Sequence, residues 1–312
     1  MVKKGVVIHP DELSEKWIQR ALDTGINVIG IHPVGGLKGS GPVKELLERM
    51  KTSEFRRLID LAETKGIKIE YEMHAISYLL DRDLFETHPE YFSEDANGVR
   101  HNKTNFCVSN EEAMEIVVKN AVWLAKNLYG KQNTFYFWMD DTLEDARCMC
   151  PNCRHMSMAD QQMRVINRIT TAIRQEISNA KVAYLGYFGF LEVPKLEKPV
   201  DGVFLEYAPM YRYVVQDKEK IRWEEDQLKP LMDFFGHEDT KVLEYWLDNS
   251  FLSGNQKPPK PFCADAESVR KDVQKYLSLG VKNISNFACY LGQDYEELYG
   301  EPDITPYTNA FA

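Results

Sequence analysis

One unit recurs along this chain of 312 residues: a stretch of helical period, then a glycine, then a short apolar run rich in β-formers. It reads ALDTGINVIGIHP at 21–33, LAETKGIKIEYEMHA at 61–75 and YLSLGVKNISNFACY at 276–290. Gly25, Gly66 and Gly280 each stand where a helix ends, a position that favours positive φ and therefore glycine. The run after each glycine is apolar enough for a strand buried on both faces, as in a parallel sheet. Extended along the chain, the pattern predicts eight strands, at about 4–9, 26–32, 67–74, 134–140, 181–187, 202–207, 241–247 and 281–288. Helices are predicted at about 12–24, 43–65, 110–129, 158–179, 218–235 and 265–279. The gap between the fifth and sixth strands is short and Pro-rich, which predicts a weak crossover there.

Alternation of this kind allows a closed barrel or an open doubly wound sheet. Eight βα units, the chain length and polar residues gathered at strand C-termini favour an α/β fold, a single (β/α)8 TIM barrel. No break in composition divides the chain, so residues 1–312 read as one barrel domain. Long catalytic-face loops are expected near 75–109 and 248–264. No G-x-G-x-x-G or P-loop follows any predicted strand, which weakens a nucleotide-binding reading.

Composition narrows the partners. A net charge of −10 argues against nucleic acid, which selects a basic face. No apolar run approaches membrane-spanning length, so no membrane partner is expected. The start MVKKGVVIHP lacks the apolar core of a signal peptide, and the chain reads as cytoplasmic. The chain is compatible with a homo-oligomer. Most of its 16 Tyr, 15 Phe and 5 Trp belong in the core, and an excess of them suits a site that stacks on sugar or other flat apolar faces.

In a barrel, function gathers where the strands' C-terminal ends meet. Read in order, those ends supply His9, His32, then Glu70, Tyr71, Glu72 and His74. They continue with Trp138, Asp140 and Asp141, then Tyr187, Glu206 and Tyr207, then Glu244, Tyr245, Trp246 and Asp248, and last Asn286 and Tyr290. Carboxylates among aromatics are what cleavage of a glycosidic bond asks for. One acid protonates the departing oxygen, and a second carboxylate attacks or activates water. Any single acid here could equally cap a helix or pair with arginine. Asp140 and Asp141 are adjacent, so their side chains point in different directions. One can enter the site while the other holds a backbone or loop group. Glu206 and Glu244 have matching contexts, GVFLE and KVLE, and both stay open as the second carboxylate.

The loop after the fourth strand carries C-x-C-x-x-C: Cys148, Cys150 and Cys153. Three soft ligands within six residues read as part of a four-coordinate zinc site. Cys107, in the loop after the third strand, can complete it. His155 is a rival fourth ligand but follows Cys153 closely. Cys289 lies in an apolar run and reads as core, and Cys263 belongs to a later unit. A closed four-thiolate site has no open position for water, so the expected metal is structural zinc and catalysis needs no cofactor. Reduced thiols without metal are the plain alternative.

Several runs resemble known families. THPEYF and NGVR within Thr87–Arg100, FCVSNEEA at Phe106–Ala113, the aspartate before CMCPNC, LEYAP and LEYWLDNS resemble a bacterial family called domain of unknown function 4838. Its members look like glycoside-hydrolase barrels related to family 20 hexosaminidases and family 67 α-glucuronidases. The resemblance spans about residues 67–255. The cysteine loop also resembles that of family 42 β-galactosidases, which implies an acid/base at Asp141, zinc on Cys107, Cys148, Cys150 and Cys153, and a nucleophile at Glu244. That family places Asn-Glu where this chain has Asp140-Asp141. Family 20 enzymes instead place an acid pair after the fourth strand and let the substrate's acetamido group attack, a pair that Asp140-Asp141 could imitate.

Together these readings predict a glycosidase acting on a carbohydrate. Asp141 is expected as general acid, Asp140 as its orienter or the substrate-assisting partner, Glu244 as nucleophile or base, and Glu206 in reserve. Tyr71, His74, Trp138, Tyr207, Tyr245, Trp246 and Asp248 are expected to line the sugar pocket. A non-catalytic sugar-binding barrel is the first alternative. The second is a metal-dependent sugar isomerase or hydrolase built on His9, His32 and His74.

Overall fold

The computed structural model describes residues 2–35, 40–142, 145–215 and 217–312. Eight parallel strands close into a barrel in sequence order. They are β1 (Lys3–Ile8), β2 (Val28–Ile31), β3 (Lys68–His74), β4 (Thr134–Trp138), β5 (Lys181–Gly186), β6 (Val203–Tyr207), β7 (Lys241–Glu244) and β8 (Asn283–Phe287). Each starts within two residues of its expected position. β7 stops earlier than expected because the chain turns at once, with the Asp248 amide donating to the Tyr245 carbonyl at 3.1 Å. Closure is made by β1 against β8, from Lys3 beside Asn283 to Val7 beside Phe287.

Helices cover the outside, and their ends follow local chemistry. Ser14, Asn110 and Ser157 cap Glu15–Thr24, Glu111–Asn127 and Met158–Glu176 by accepting backbone N–H groups. The helix expected over 43–65 is two, Gly41–Arg49 and Ser53–Thr64. Thr52 interrupts it, because its hydroxyl accepts the Phe55 amide at 3.3 Å and opens a new helix. Between β5 and β6 there is only a short 3-10 turn, Phe188–Phe190, in keeping with the weak crossover. Gly25, Gly66 and Gly280 have φ of 71°, 85° and 88°, so a Cβ there would be strained. Among the described residues no helix is long and apolar enough to cross a membrane.

The barrel interior is charged rather than apolar. Lys241 of β7 is fully buried and points across the barrel. Its ammonium lies 2.7 Å from Glu72, 3.0 Å from Glu206 and 3.3 Å from Glu70, and 4.1 Å from the ring centre of Tyr136. Glu70 also accepts the Tyr136 hydroxyl at 2.6 Å and pairs with Lys68 at 2.7 Å. Two ammonium groups thus face three carboxylates. Burial drives the Glu72 carboxyl up to about 8, whereas Lys241 and Lys68 overcome burial at Glu70 and hold it near 2. A glycine on β2 leaves room for this set, and one on β1 leaves room for Ser285 of β8. A Cβ on Gly30 would lie 2.5 Å from the Glu72 carboxylate, and one on Gly5 would lie 2.1 Å from the Ser285 hydroxyl.

Candidate active site

Side chains alternate across a strand, and here the inward set is fixed by the ion cluster. On β3 it is Lys68, Glu70, Glu72 and then His74. On β4 it runs through Tyr136 to Trp138, on β6 it includes Glu206, and on β7 it runs from Lys241 to Tyr245. The last inward residues of each strand form the barrel mouth. His74 and Trp138 pack there with ring centres 5.1 Å apart, and His32 joins them at 6.1 and 5.5 Å. Tyr245 stacks on Phe287 at 5.0 Å. Trp138 is also the lid of the charged interior, since its indole N–H donates to Glu206 at 2.8 Å.

The histidines have fixed tautomers. Nδ1 of His9, His32 and His74 lies 2.9, 2.8 and 2.5 Å from the carbonyl oxygens of His32, Glu72 and Met139. A carbonyl only accepts, so each Nδ1 carries the proton. Burial, with His9 and His74 nearby, pushes the His32 imidazole well below its ordinary range and keeps it neutral. The segment after β2 packs on this group. A Cβ on Gly35 would stand 3.2 to 3.5 Å from His74, Asp141 and His32.

Just past β4 the two aspartates part. Asp140 is buried and fully engaged. Its Oδ1 accepts the Ser77 amide at 3.1 Å, its Oδ2 accepts the Asn105 amide at 2.6 Å, and it pairs with the Arg82 guanidinium. Asp141 is partly exposed and lines a cleft of about 1190 Å³. Arg82, Lys103 and Arg147 line that cleft together with Asp95 and Asp145, and Phe188, Met210 and Phe251 supply apolar surface. The Tyr187 hydroxyl lies 3.4 Å from Asp141 Oδ1 and 3.3 Å from the Asp140 carbonyl, while accepting the Thr142 amide. Burial and the Asp141 charge push the Tyr187 hydroxyl well above its ordinary value, so it stays a donor.

The other expected site residues fall on both sides of the barrel wall. His74, Trp138 and Tyr245 are at the mouth. Tyr245 joins that group through Phe287, whose ring centre is 5.0 Å from it and 5.1 Å from His32, and burial, then the Asp141 charge, pushes its hydroxyl far up. Tyr71, Tyr207, Glu244 and Trp246 have the opposite parity and face the helices. Tyr71 donates to the Tyr129 carbonyl at 2.9 Å and Tyr207 to the Glu224 carbonyl at 2.8 Å. Trp246 donates to Asp272 at 3.2 Å. Glu244 is fully buried between Arg212, Tyr276 and Tyr213, whose hydroxyl donates at 3.1 Å. Glu206 lies below Trp138, paired with Lys241. Asp248 caps a short helix by accepting the Ser250 amide at 2.8 Å, and burial drives its carboxyl to about 6. The strand-end inventory held Tyr187 without a role, and Arg82 and Asn105 were outside it. Tyr187 shares the inward parity of β5 and was legible that way; Arg82 and Asn105 sit in a loop with no period to betray them.

Beyond Asp140 the four cysteines converge. Cys107, Cys148, Cys150 and Cys153 are buried, none is in a disulfide, and their sulfurs all lie within 4.8 Å of one another. Cys107 Sγ is 3.6 Å from Cys150 Sγ and 3.8 Å from Cys153 Sγ. Zinc–sulfur bonds of about 2.3 Å on a tetrahedron require edges of about 3.8 Å, so the spacing suits a metal. Gln161 braces the loop, accepting the Cys148 amide at 2.9 Å and donating to the Cys148 carbonyl at 2.8 Å. Among the described residues this is the group whose donors lie close enough to hold one ion; His9, His32 and His74 do not form such a set.

With this geometry in place, the relatives can be named. The sequence profile of the family Domain of unknown function (DUF4838) matches residues 47–234, more than half of the chain. The chain belongs to that family. No curated protein sequence matches it. Among solved structures, this DUF4838 barrel is similar to the Bacteroides ovatus GH5 xyloglucanase, at 10% identity and a TM-score of 0.54 over 99% of this chain and 74% of that one. It is similar to a pneumococcal structure of the GH20 catalytic modules of the exo-β-D-N-acetylglucosaminidase StrH, at 12% identity and 0.51 over 99% and 81%. It is also similar to the β-galactosidase of the psychrophilic Marinomonas ef1, at 13% and 0.52 over 91% of this chain, which spans about half, 53%, of that enzyme. At these identities the likeness is one of fold, a glycoside-hydrolase-like barrel.

Proposed function

We propose that this DUF4838 barrel cleaves a glycosidic bond with Asp141 as proton donor, in the reducing environment of the cytoplasm. One observation carries the reading: of the two aspartates after β4, Asp140 is consumed by Arg82, Ser77 and Asn105, and Asp141 opens to the cleft. Asp140 then acts as the orienter, fixing the backbone from which Asp141 projects. Tyr187, 3.4 Å from the Asp141 carboxylate, sets the rotamer of the acid, and Phe188, Met210 and Phe251 on the cleft wall offer the apolar surface against which a sugar ring packs.

The second group is proposed to come from the substrate. Glu206 is spent on Lys241 and Glu244 on Arg212, so neither expected partner is turned toward Asp141. A 2-acetamido sugar carries its own nucleophile. Its carbonyl oxygen bonds to the anomeric carbon as the glycosidic C–O bond breaks and Asp141 protonates the departing oxygen. Water then reopens the ring, giving its proton to the Asp141 carboxylate. The exo-β-D-N-acetylglucosaminidase fold among the neighbours agrees with this choice. The test compares aryl N-acetylhexosaminides with the matching hexosides. Turnover of the acetamido series alone, lost in D141N, is the expected result; turnover of both series equally removes the substrate-assisted step.

That both glutamates are spent, Glu206 on Lys241 inside the barrel and Glu244 on Arg212 outside it, supports one second reading, a sugar-binding barrel without turnover. Calorimetric binding of oligosaccharides with no product on prolonged incubation would favour it. For the cysteines, we propose a structural zinc held by Cys107, Cys148, Cys150 and Cys153. When bound, zinc would join the loop after β3 to the loop after β4, with all four positions filled by sulfur.

A further inference from the structure

The proposed acid and the sulfur centre share one link, Asn105. It is buried and has φ of 49°, a left-handed backbone that asparagine tolerates better than most residues. Every polar group it owns is engaged. Its amide donates to Asp140 Oδ2 at 2.6 Å, and its Oδ1 accepts the Asp140 amide at 2.9 Å. Its Nδ2 reaches the Ala146 carbonyl at 3.4 Å, two residues before Cys148. Its carbonyl accepts Arg82 Nη1 at 2.6 Å, and Arg82 also pairs with Asp140. Two residues on, Cys107 enters the sulfur cluster, its own amide donating to the Tyr91 carbonyl at 2.9 Å.

We infer that Asn105 is a positioning residue that ties the conformation of Asp141 to the state of the four-cysteine centre. The two peptide groups flanking the Asp140 Cα are both held, the first by Asn105 at the Asp140 N–H and the second by Tyr187 at the Asp140 carbonyl. The Cα of Asp141 therefore has its direction set by contacts that begin at Cys107. Losing the metal frees Cys107 and the 146–153 loop together, and both ends of the Asn105 bridge move with them. Metal occupancy thus acts on the cleft from outside it, with no ligand of the metal touching substrate. The link rests on the proposed role of Asp141 only for its effect on turnover; the mechanical coupling stands apart from it.

Hydrogen–deuterium exchange on the zinc-loaded protein separates the two. In N105G the positive φ is relieved but the side-chain bridge is gone. Exchange over 138–142 is expected to rise at least about tenfold, while zinc stays near one per chain and 91–100 stays protected. Chelating zinc from the unsubstituted protein is expected to expose 138–142 to the same degree, and chelation of N105G to add little there. If N105G folds poorly, N105D answers the same question, since it keeps the size and the acceptor but loses the donor to Ala146. Unchanged protection over 138–142 in the variant, or exposure confined to 146–153 after chelation, overturns the inference. Where the protein turns over glycosides, kcat should fall in N105G with KM nearly constant. Absence of turnover in the unsubstituted protein would count against the proposed chemistry and leave the exchange result to decide the coupling.

Discussion

Asp141 and Glu244 were expected as partners across one sugar, but Asp141 lies beyond the end of β4 and Glu244 within β7, on its outer side. Asp141 meets the cleft; Glu244 is sealed among Arg212, Tyr276 and Tyr213 on the outer side of β7. D141N should lower kcat by about 10²- to 10⁴-fold, the range for removing a general acid, with an unchanged melting temperature. E244Q should do the reverse, lowering the melting temperature by leaving Arg212 with Asp272 as its one carboxylate partner, while sparing most of kcat. Paired melts and steady-state kinetics on the two variants check both. The parity that sorts Tyr71, Tyr207, Glu244 and Trp246 from His74, Trp138 and Tyr245 was present in the sequence. It needed one inward anchor on each strand, and a lysine inside a barrel is an anchor that apolar patterning does not suggest.

At the scale of elements, the glycine-terminated helices and the eight strands were legible because each is dictated locally, by φ at Gly25, Gly66 and Gly280 and by short apolar runs. The break at Thr52 was missed because a capping hydroxyl competes with a helical period that continues through it. The loop holding Asn105 was opaque for the opposite reason: its order comes from contacts 35 to 58 residues apart in sequence, with Asp140 and from Arg82 to Asp140. Within β7, Lys241 supplies the next prediction. K241M should destabilise the barrel by about 3–5 kcal/mol, the cost of removing one partner from a buried ionic group, as read by denaturant unfolding. For the loops, C148S should lose bound zinc and become readily cleaved by protease within 93–106. Metal analysis and limited proteolysis test that outcome.

For the molecule as a whole, buried acids set the pH response. Glu72, Glu12, Glu224 and Asp248 have carboxyls raised by burial to about 8, 7, 7 and 6, whereas unfolded carboxyls titrate near 4.5 for glutamate and 3.8 for aspartate. Between those limits the folded chain holds protons that the unfolded chain has released, so stability falls as pH rises. Glu70, held near 2, works the other way and adds stability as pH rises from about 2 to 4.5. The melting temperature should therefore decline from about pH 6 to pH 8 when measured in excess zinc, which offsets acid release of metal from thiolates. A melting temperature that climbs over that interval would contradict the burial account.

The charged interior also bears on how such a barrel can change over generations. Lys241 answers carboxylates drawn from two other strands, β3 and β6. An all-apolar interior of the same volume could be as stable or more so, yet every route to it begins by stranding a charge. Replacing any one of Lys241, Glu70 or Glu206 alone is disfavoured, and only concerted replacement reaches the alternative. The arrangement is thus a local trap in sequence space, held by the intermediates around it rather than by its own merit.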